Sequence, residues 1–386
     1  MIKKLIPRFK PNYDWREWVA AFSFWRDELS IYEKEFAAKF GCSYGKMFSY
    51  GRSGLYALFK IWKLENKEII TSAYTCVVVP HAIVLSGNQP RFVDCAKGSF
   101  NMCYEKLSSS ITRNTGAIVV THLFGYSMDV ERIDKIVRQA EKKFGIKIYV
   151  IQDLAHAYGT SFKGKMVSTY GDAAIFGCNI SKIINSIFGG MVITNDYETS
   201  ALLREYKNQN LKKPTAYKEF LRFLYLIAST IAFLPRVYRI INFLERNGIL
   251  DRFTKYYKED LIDFPKDWDE QPKKVEARVG RIQLKKYDSI VSKRKKLARQ
   301  IIGSFKNRKD IIFLKYNDEC TYSHIVALVK NRKKWISNYR IKGKQLGSII
   351  DYSIPEMKSY RKIKNSQSDY PISRSYSKQI INFPIY

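Results

Sequence analysis

Histidine is scarce in this chain, with four in 386 residues, and acidic residues are outnumbered, 36 Asp+Glu against 67 Lys+Arg. The six cysteines, at 42, 76, 95, 103, 178 and 320, include no CxxC pair. That spacing excludes a zinc cluster or a disulfide framework and predicts reduced thiols. No Walker loop and no dinucleotide fingerprint is present. The start, MIKKLIPRFKPNYDW, is basic but offers no long apolar region and no small-residue cleavage site, unlike a secretory signal. The uncharged segment Phe223 to Pro235 falls short of the about 20 apolar residues that span a bilayer.

The remaining composition supports a globular chain, 46 % hydrophobic and 15 % aromatic. The net charge of +31 favours anionic partners: nucleic acid, acidic lipid headgroups or phosphorylated ligands. A bias in residue usage toward Lys, Ile, Tyr and Asn explains the excess as well. Nucleic-acid binding lacks a recognition motif or an interleaved aromatic platform, so no nucleic-acid partner is expected.

From Leu29 to Thr194 helical and strand-like patterns alternate. LSIYEKEFAAKFG, SGLYALFKIWKLEN and VERIDKIVRQAEKKFG read as helices. EIIT, RFVD, AIVVT, IYVIQD, AAIFG and MVIT have the length and β-branched content of buried strands. This alternation predicts an α/β fold with a mostly parallel sheet covered on both faces, and a ligand site beyond the carboxyl ends of its strands. Residues 217–249 change character. Apolar runs flanked by Lys218, Arg222, Arg236 and Arg239 suit either a helix pair at a membrane interface or a hairpin buried against the body or a dimer partner. EARVGRIQLKKYDSIVSKRKKLARQI predicts a long basic helix, with SKRKKLAR as its solvated face. IIFLKY and HIVALV read as strands of a smaller C-terminal α/β unit. The expected division is a large domain over 1–215, a basic, apolar helical insertion over 216–265 and a small domain over 266–386.

GDAAIFGCNISKIINSIFGGMVITND holds a single lysine, Lys182, among small and apolar residues. Upstream, IYVIQDLAHAYGT ends a strand at Asp153, and His156 follows three residues later. A strand-end acid beside a neighbouring strand-end amine suits pyridoxal phosphate chemistry. There the lysine forms a Schiff base and a carboxylate pairs with the pyridine nitrogen. SYGRSGLYAL offers a phosphate cradle: Gly51 for a tight turn, Arg52 as a cation, Ser53 as a cap of the following helix. On spacing alone Asp153 serves equally as an N-cap and Lys182 as a solvated loop residue. His122 reads as structural, Asp94 as the cap of a turn, and His81 and His324 have no partner pattern.

Several motifs in order resemble the DegT/StrS-type sugar aminotransferases, which are fold-type-I pyridoxal phosphate enzymes. IYEKEFAAKFGCSYGKMFSYGRSGLYAL is similar to the family's opening helix and phosphate loop. EIITSAYTCVVVPHAIVLSGNQPRFVD, THLFGYSMDVERI, QDLAHAYG, the lysine segment, RIQLKKYDSIVSKRKKLA and the closing IINFPIY each match a family motif. The resemblance covers most of the chain. It implies a large domain with a seven-stranded, mostly parallel sheet between helices, a smaller C-terminal domain, and a homodimer. It also implies an aminotransferase that takes an amino group from glutamate to a keto sugar, a nucleotide-linked 4-keto or 3-keto sugar for cell-surface polysaccharide or glycolipid.

Carried over by position, Lys182 is the Schiff-base lysine, a site where dehydrating relatives have histidine. Asp153 is the pyridine-nitrogen carboxylate, and His156 stands beside the phenolic oxygen. Gly51, Arg52 and Ser53 form the phosphate loop, with Arg52 in place of a threonine. Cys76 replaces the aromatic that stacks on the ring, a loss Tyr74 is expected to offset. Gly177 and Ser181 lie in the lysine segment on the cofactor side, Gly177 where relatives have a phosphate-binding serine. Phe188 replaces the glutamate of "GxGEGG", and DWDEQP stands in the "NYRM" region that reaches the partner's site. These departures leave open a catalytically silent member that binds or regulates, or another pyridoxal phosphate reaction. No metal is expected. The expected location is cytoplasmic, with peripheral contact to the inner, anionic face of the membrane.

Overall fold

The computed structural model describes residues 4–23, 27–249, 257–363 and 369–386. Seven strands form the main sheet: β1 (Tyr44–Phe48), β2 (Glu68–Ser72), β3 (Gln89–Val93), β4 (Thr115–Thr121), β5 (Tyr149–Asp153), β8 (Ala173–Gly177) and β9 (Gly190–Thr194). Their order is β1-β9-β8-β5-β4-β2-β3. Only β9 runs against the rest, pairing antiparallel with β8 and β1. The other links, β3-β2-β4-β5-β8, are parallel, with Asp153 beside Ile175 in register. β4 is buried at every position, which is why AIVVT carries no alternation. A hairpin of β6 (Ser161–Phe162) and β7 (Lys165–Met166) lies between β5 and β8.

Helices α1 (Trp15–Phe22), α2 (Glu28–Lys39), α3 (Gly51–Ile61), α4 (Val78–Leu85), α5 (Tyr104–Ser110), α6 (Val130–Phe144) and α7 (Tyr197–Asn210) accompany the sheet. α6 begins at Asp129, whose carboxylate accepts from Arg132 N at 2.9 Å, and stops at Gly145 in the left-handed region, φ 64°. An Asp cap and a Gly stop thus bound the helix. Separate apolar clusters on the sheet's two faces, one around Phe36, Phe40 and Phe176, another around Leu58, Phe59 and Ile69, show it covered on both sides.

The segment after 215 folds into α8 (Ala216–Ala232) and α9 (Pro235–Arg246), bent 104° apart; residues 250–256 of the expected insertion lie outside the described residues. α10 (Lys274–Ser304) then runs through the whole molecule. Its first half packs on α1 and α2, and its last turns enter a core with β11 (Ile325–Val329) and β12 (Ile380–Phe383). These two strands and β10 (Ile311–Ile312) form an antiparallel sheet, order β10-β11-β12, flanked by α11 (Arg332–Ile341) and α12 (Pro371–Gln379).

Two expectations for this half change. IIFLKY pairs as a strand only at Ile311 and Ile312; beyond them Tyr316 instead stacks on Tyr322, 5.4 Å between centroids. SKRKKLAR is not uniformly solvated, because Arg294 is buried and donates to the Ser323 carbonyl at 2.9 Å. Asp94 caps more than its own turn. It accepts from Cys95 N and Ser373 N, both at 2.9 Å, and so ties the start of α12 to the end of β3.

Candidate active site

The carboxyl ends of β2, β4, β5 and β8 point the same way, so the loops that follow them share one edge. They carry Cys76, His122 with Phe124, Asp153 with His156, and Gly177 with Lys182. β1 also runs in this direction and delivers the start of α3 to the same edge.

Asp153 is the last residue of β5 and is buried. Its Oδ1 accepts from Ala155 N at 3.1 Å. Burial pushes its carboxyl above the usual range; the Ala155 N–H, the Lys182 charge and the Thr121 hydroxyl pull it back only in part. Lys182 follows β8 in a turn closed by its own N–H to Asn179 O at 3.0 Å. Burial pushes its amine below the usual lysine value, against Cys76, Asp153 and Cys178, which act to raise it. Cys76 and Asp153 therefore both lie near the lysine. A Cβ on Gly177 would meet Lys182 Cε at 3.6 Å and Ala155 Cβ at 3.9 Å, ordinary contacts that place these three residues together.

His156 stacks on Phe124, with 5.6 Å between centroids and 23° between planes, and its Nδ1 is buried without a partner. His324, at the start of β11, lies 5.1 Å from His156, centroid to centroid, and accepts or donates at Nδ1 to Ser323 Oγ, 3.1 Å away. Burial holds both imidazoles far below their usual value, and the Lys182 charge lowers each further. His324 was missed by sequence reasoning: no local pattern marks it, and only the small sheet's docking brings it to the edge. Phe124 was missed too. It holds a left-handed backbone, φ 60°, in the turn after β4.

At the start of α3, Gly51 and Gly190 permit a close approach. A Cβ on Gly190 would fall 2.1 Å from Gly51 N, and one on Gly51 would fall 2.8 Å from Phe176 O. Arg52 is half-buried at the second helical position, its guanidinium carbon 5.8 Å from the Tyr50 ring. Ser53 does not cap the helix. It sits inside the first turn and donates from Oγ to Trp268 O at 2.8 Å, while the N-cap is Tyr50, which makes no side-chain cap. Tyr74 does not offset Cys76. Its ring is fully buried among Phe100, Phe124 and Tyr376, in the contact between the two sheets, with its hydroxyl unpartnered. Ser181 Oγ donates to Asn179 Oδ1 at 2.8 Å and so shapes the lysine turn.

The divergent positions pack together. Arg222 of α8 lies over the Phe188 ring at 4.1 Å and donates to Asp267 Oδ2 at 2.7 Å and Glu276 Oε1 at 3.0 Å. Tyr50 Oη donates to Asp267 Oδ1 at 2.7 Å, and Ser49 Oγ to Glu270 O at 2.7 Å. DWDEQP therefore lies against the α3 start of its own chain. His122 is structural: Nε2 lies 2.7 Å from Gln152 Oε1, Nδ1 accepts from Met128 N at 3.0 Å, and burial lowers it to about 4. His81 is likewise buried and lowered to about 4. Among the described residues no group of His, Cys, Asp or Glu could hold a metal ion.

These residues fit pyridoxal phosphate. The buried Asp153 is short of a cation, the Lys182 amine is lowered toward its neutral form, and His156 Nδ1 is unpartnered beside them. Comparison with known proteins agrees. The model of the DegT/DnrJ/EryC1/StrS aminotransferase family matches residues 23–226 and 235–386. GDP-perosamine synthase of Escherichia coli O157:H7 is 29% identical over 220 residues, 54% of this chain and 58% of that protein, so the match spans little over half its length. dTDP-3-amino-3,6-dideoxy-alpha-D-galactopyranose transaminase of Aneurinibacillus thermoaerophilus is 25% identical, covering 93% of this chain and 85% of its own. The fold matches Spr1654, a putative sugar aminotransferase from Streptococcus pneumoniae in its PMP-form. The TM-score is 0.77 at 17% identity, covering 100% of this chain and 94% of that one.

Proposed function

The chain belongs to the DegT/DnrJ/EryC1/StrS aminotransferase family, and on that premise we propose that it is a pyridoxal phosphate-dependent sugar aminotransferase. Its reaction moves an amino group from an amino acid, glutamate, to a keto sugar carried on a nucleotide, for cell-surface polysaccharide or glycolipid. The observation that carries this reading is the placement of Asp153 and Lys182 beyond the ends of adjacent strands, Asp153 buried and Lys182 half-buried, each shifted toward its neutral form. The names of the relatives support the acceptor class: one makes GDP-perosamine, another is a transaminase of a dTDP-linked amino sugar.

Pyridoxal phosphate, when bound, supplies a carbonyl that captures amines and a ring that withdraws electrons from them. The chain's residues do the rest. Burial disfavours the charge on Lys182 and so favours the neutral, nucleophilic form of its Nζ. Freed from the cofactor, the same Nζ takes a proton and returns it, as general base and then acid. Asp153 Oδ carries the negative charge that keeps the ring nitrogen protonated. The N–H groups at the start of α3, with Arg52, would hold the phosphate. A lysine at 182, where the dehydrating relatives have histidine, favours amino transfer. The working unit is a homodimer in the cytoplasm, where six unpaired cysteines stay reduced.

Purified wild type should show a visible absorbance band with pyridoxal phosphate, and borohydride should fix the cofactor on Lys182, as read by peptide mass. Glutamate should bleach the band before reduction. Lys182→Ala should lose both signals. A wild type that stays colourless with added cofactor would leave only the silent, ligand-binding reading of the fold.

A further inference from the structure

α1 and α8 are amphipathic the wrong way round for a helix facing water. Soluble helices turn charge outward and apolar residues toward the core. On α8 the charged residues point inward. Arg222 pairs with Asp267 and Glu276, Lys218 with Glu270, and Glu219 accepts from Lys274 N at 2.8 Å. Its outer face is Tyr217, Phe220, Leu221, Leu224 and Ile231, between 41% and 68% exposed. α1 repeats the pattern. Glu17 is fully buried and accepts from Gln283 Nε2 at 2.7 Å and Lys286 Nζ, while Trp15, Val19 and Phe22 stand 71%, 57% and 62% exposed. Phe22 and Phe223 touch, with centroids 4.4 Å apart, so the two faces are one surface. α9 extends it, with Ile240 and Phe243 exposed between Arg236, Arg239 and Arg246.

We propose that this surface docks the protein onto an anionic phospholipid bilayer, lying flat in the headgroup region. Two features select lipid as the occupant. Of the seven Lys or Arg between residues 212 and 249, Lys218 and Arg222 pair inward and Lys212 pairs with Asp269, while Lys213, Arg236, Arg239 and Arg246 stand exposed, within a chain of net charge +31. That distribution complements an anionic bilayer. A second copy docked symmetrically would set the same basic ring against itself. The docking is in-plane rather than spanning. No single described helix is long and apolar enough to cross a membrane, the pair is bent by 104°, and the inner face of α8 is held to the body through Leu226, Ser229 and its ion pairs. Trp15 sits at the edge of this surface, where an amphipathic ring suits the headgroup level. The proposal is independent of the amino-transfer reading.

The full chain should sediment with phosphatidylcholine vesicles containing phosphatidylglycerol and stay in the supernatant with phosphatidylcholine alone. Phe220→Glu with Leu224→Glu should abolish sedimentation while the oligomeric state by light scattering is unchanged. Arg236→Gln should weaken partitioning by about fivefold, the contribution of one basic residue at an anionic surface. Brominated acyl chains should quench part of the tryptophan fluorescence, and that part should vanish in Trp15→Phe, which keeps the surface apolar and does not depend on the glutamate variants folding. A wild type that ignores phosphatidylglycerol vesicles overturns the proposal. So does a glutamate pair that breaks an oligomer, since a second copy would then be the occupant.

Discussion

Replacing Asp153 with Asn should move stability in opposite directions with and without cofactor. In the apo protein the carboxylate is buried and paired with no Lys or Arg among the described residues. It is offset only by one N–H, from Ala155 at 3.1 Å, by the charge of Lys182 and by the Thr121 hydroxyl. A carboxyl raised by folding binds its proton more tightly in the native than in the unfolded chain. Stability therefore falls as pH climbs from the unfolded value, about 3.9, through the raised native one, and the penalty is complete above it. Asn keeps the shape and the acceptor oxygen without the charge. The relief should be about 1–3 kcal/mol at neutral pH, the cost of a buried group short of partners. With pyridoxal phosphate bound, the carboxylate gains a cationic partner and Asn does not, so the holo variant should unfold before holo wild type. The assay is urea unfolding of apo and loaded forms of both proteins, at neutral pH and near the unfolded carboxylate value. The apo gain should shrink at the lower pH. An apo variant less stable than apo wild type, or one whose loaded form gains as much as its apo form, would refute a strained carboxylate waiting for a cation.

Other consequences are as direct. Gly177→Ser should tighten pyridoxal phosphate binding by about tenfold to a hundredfold, the worth of a hydrogen bond to a charged group at ~1.5–3 kcal/mol, because the added Cβ meets only Lys182 Cε at 3.6 Å and Ala155 Cβ at 3.9 Å; an unchanged dissociation constant by absorbance titration would place residue 177 away from the phosphate. Arg222→Met should cost about 3 kcal/mol in urea unfolding, the low end for breaking a buried pair. It strands Glu276, which is fully buried, although Lys273 still opposes the charge; a loss below the error of the fit would mean that the network is not formed. Asp94 is a carboxylate of the opposite kind. Burial raises it, but hydrogen bonds from Ser373, Ile372 and Cys95 outweigh that and hold it low. Its contribution is present above the unfolded carboxylate pKa and is lost as pH falls through the native one, so Asp94→Ala should destabilise at neutral pH by about 1–2 kcal/mol and flatten the acid limb of the stability profile.

Six of the seven strands of the main sheet, all but β1, and α2, α6 and α10 were legible in the chain because each rests on local rules: apolar runs of strand length and a helical period. Asp153 and Lys182 were legible for a related reason, since strand ends in a parallel sheet share an edge whatever the side-chain packing. Other assignments needed the fold. Ser53 reads as a cap until Trp268, some two hundred residues later, presents its carbonyl to it. Tyr74 reads as a ring over the cofactor until the small sheet closes on it, and Arg294 reads as solvated until the Ser323 carbonyl accepts its N–H. His324 reaches Lys182 and His156 only through that same docking. The reversal of α1 and α8 was hidden as well. Their composition shows amphipathic helices, but which face turns inward depends on partners such as Lys286, Asp267 and Glu276, brought there by α10 and the segment before it. Local chemistry thus determined most of the elements and the shared edge on which Asp153 and Lys182 lie, while contacts between distant segments, which no local pattern encodes, decided what surrounds them and the surface that faces outward.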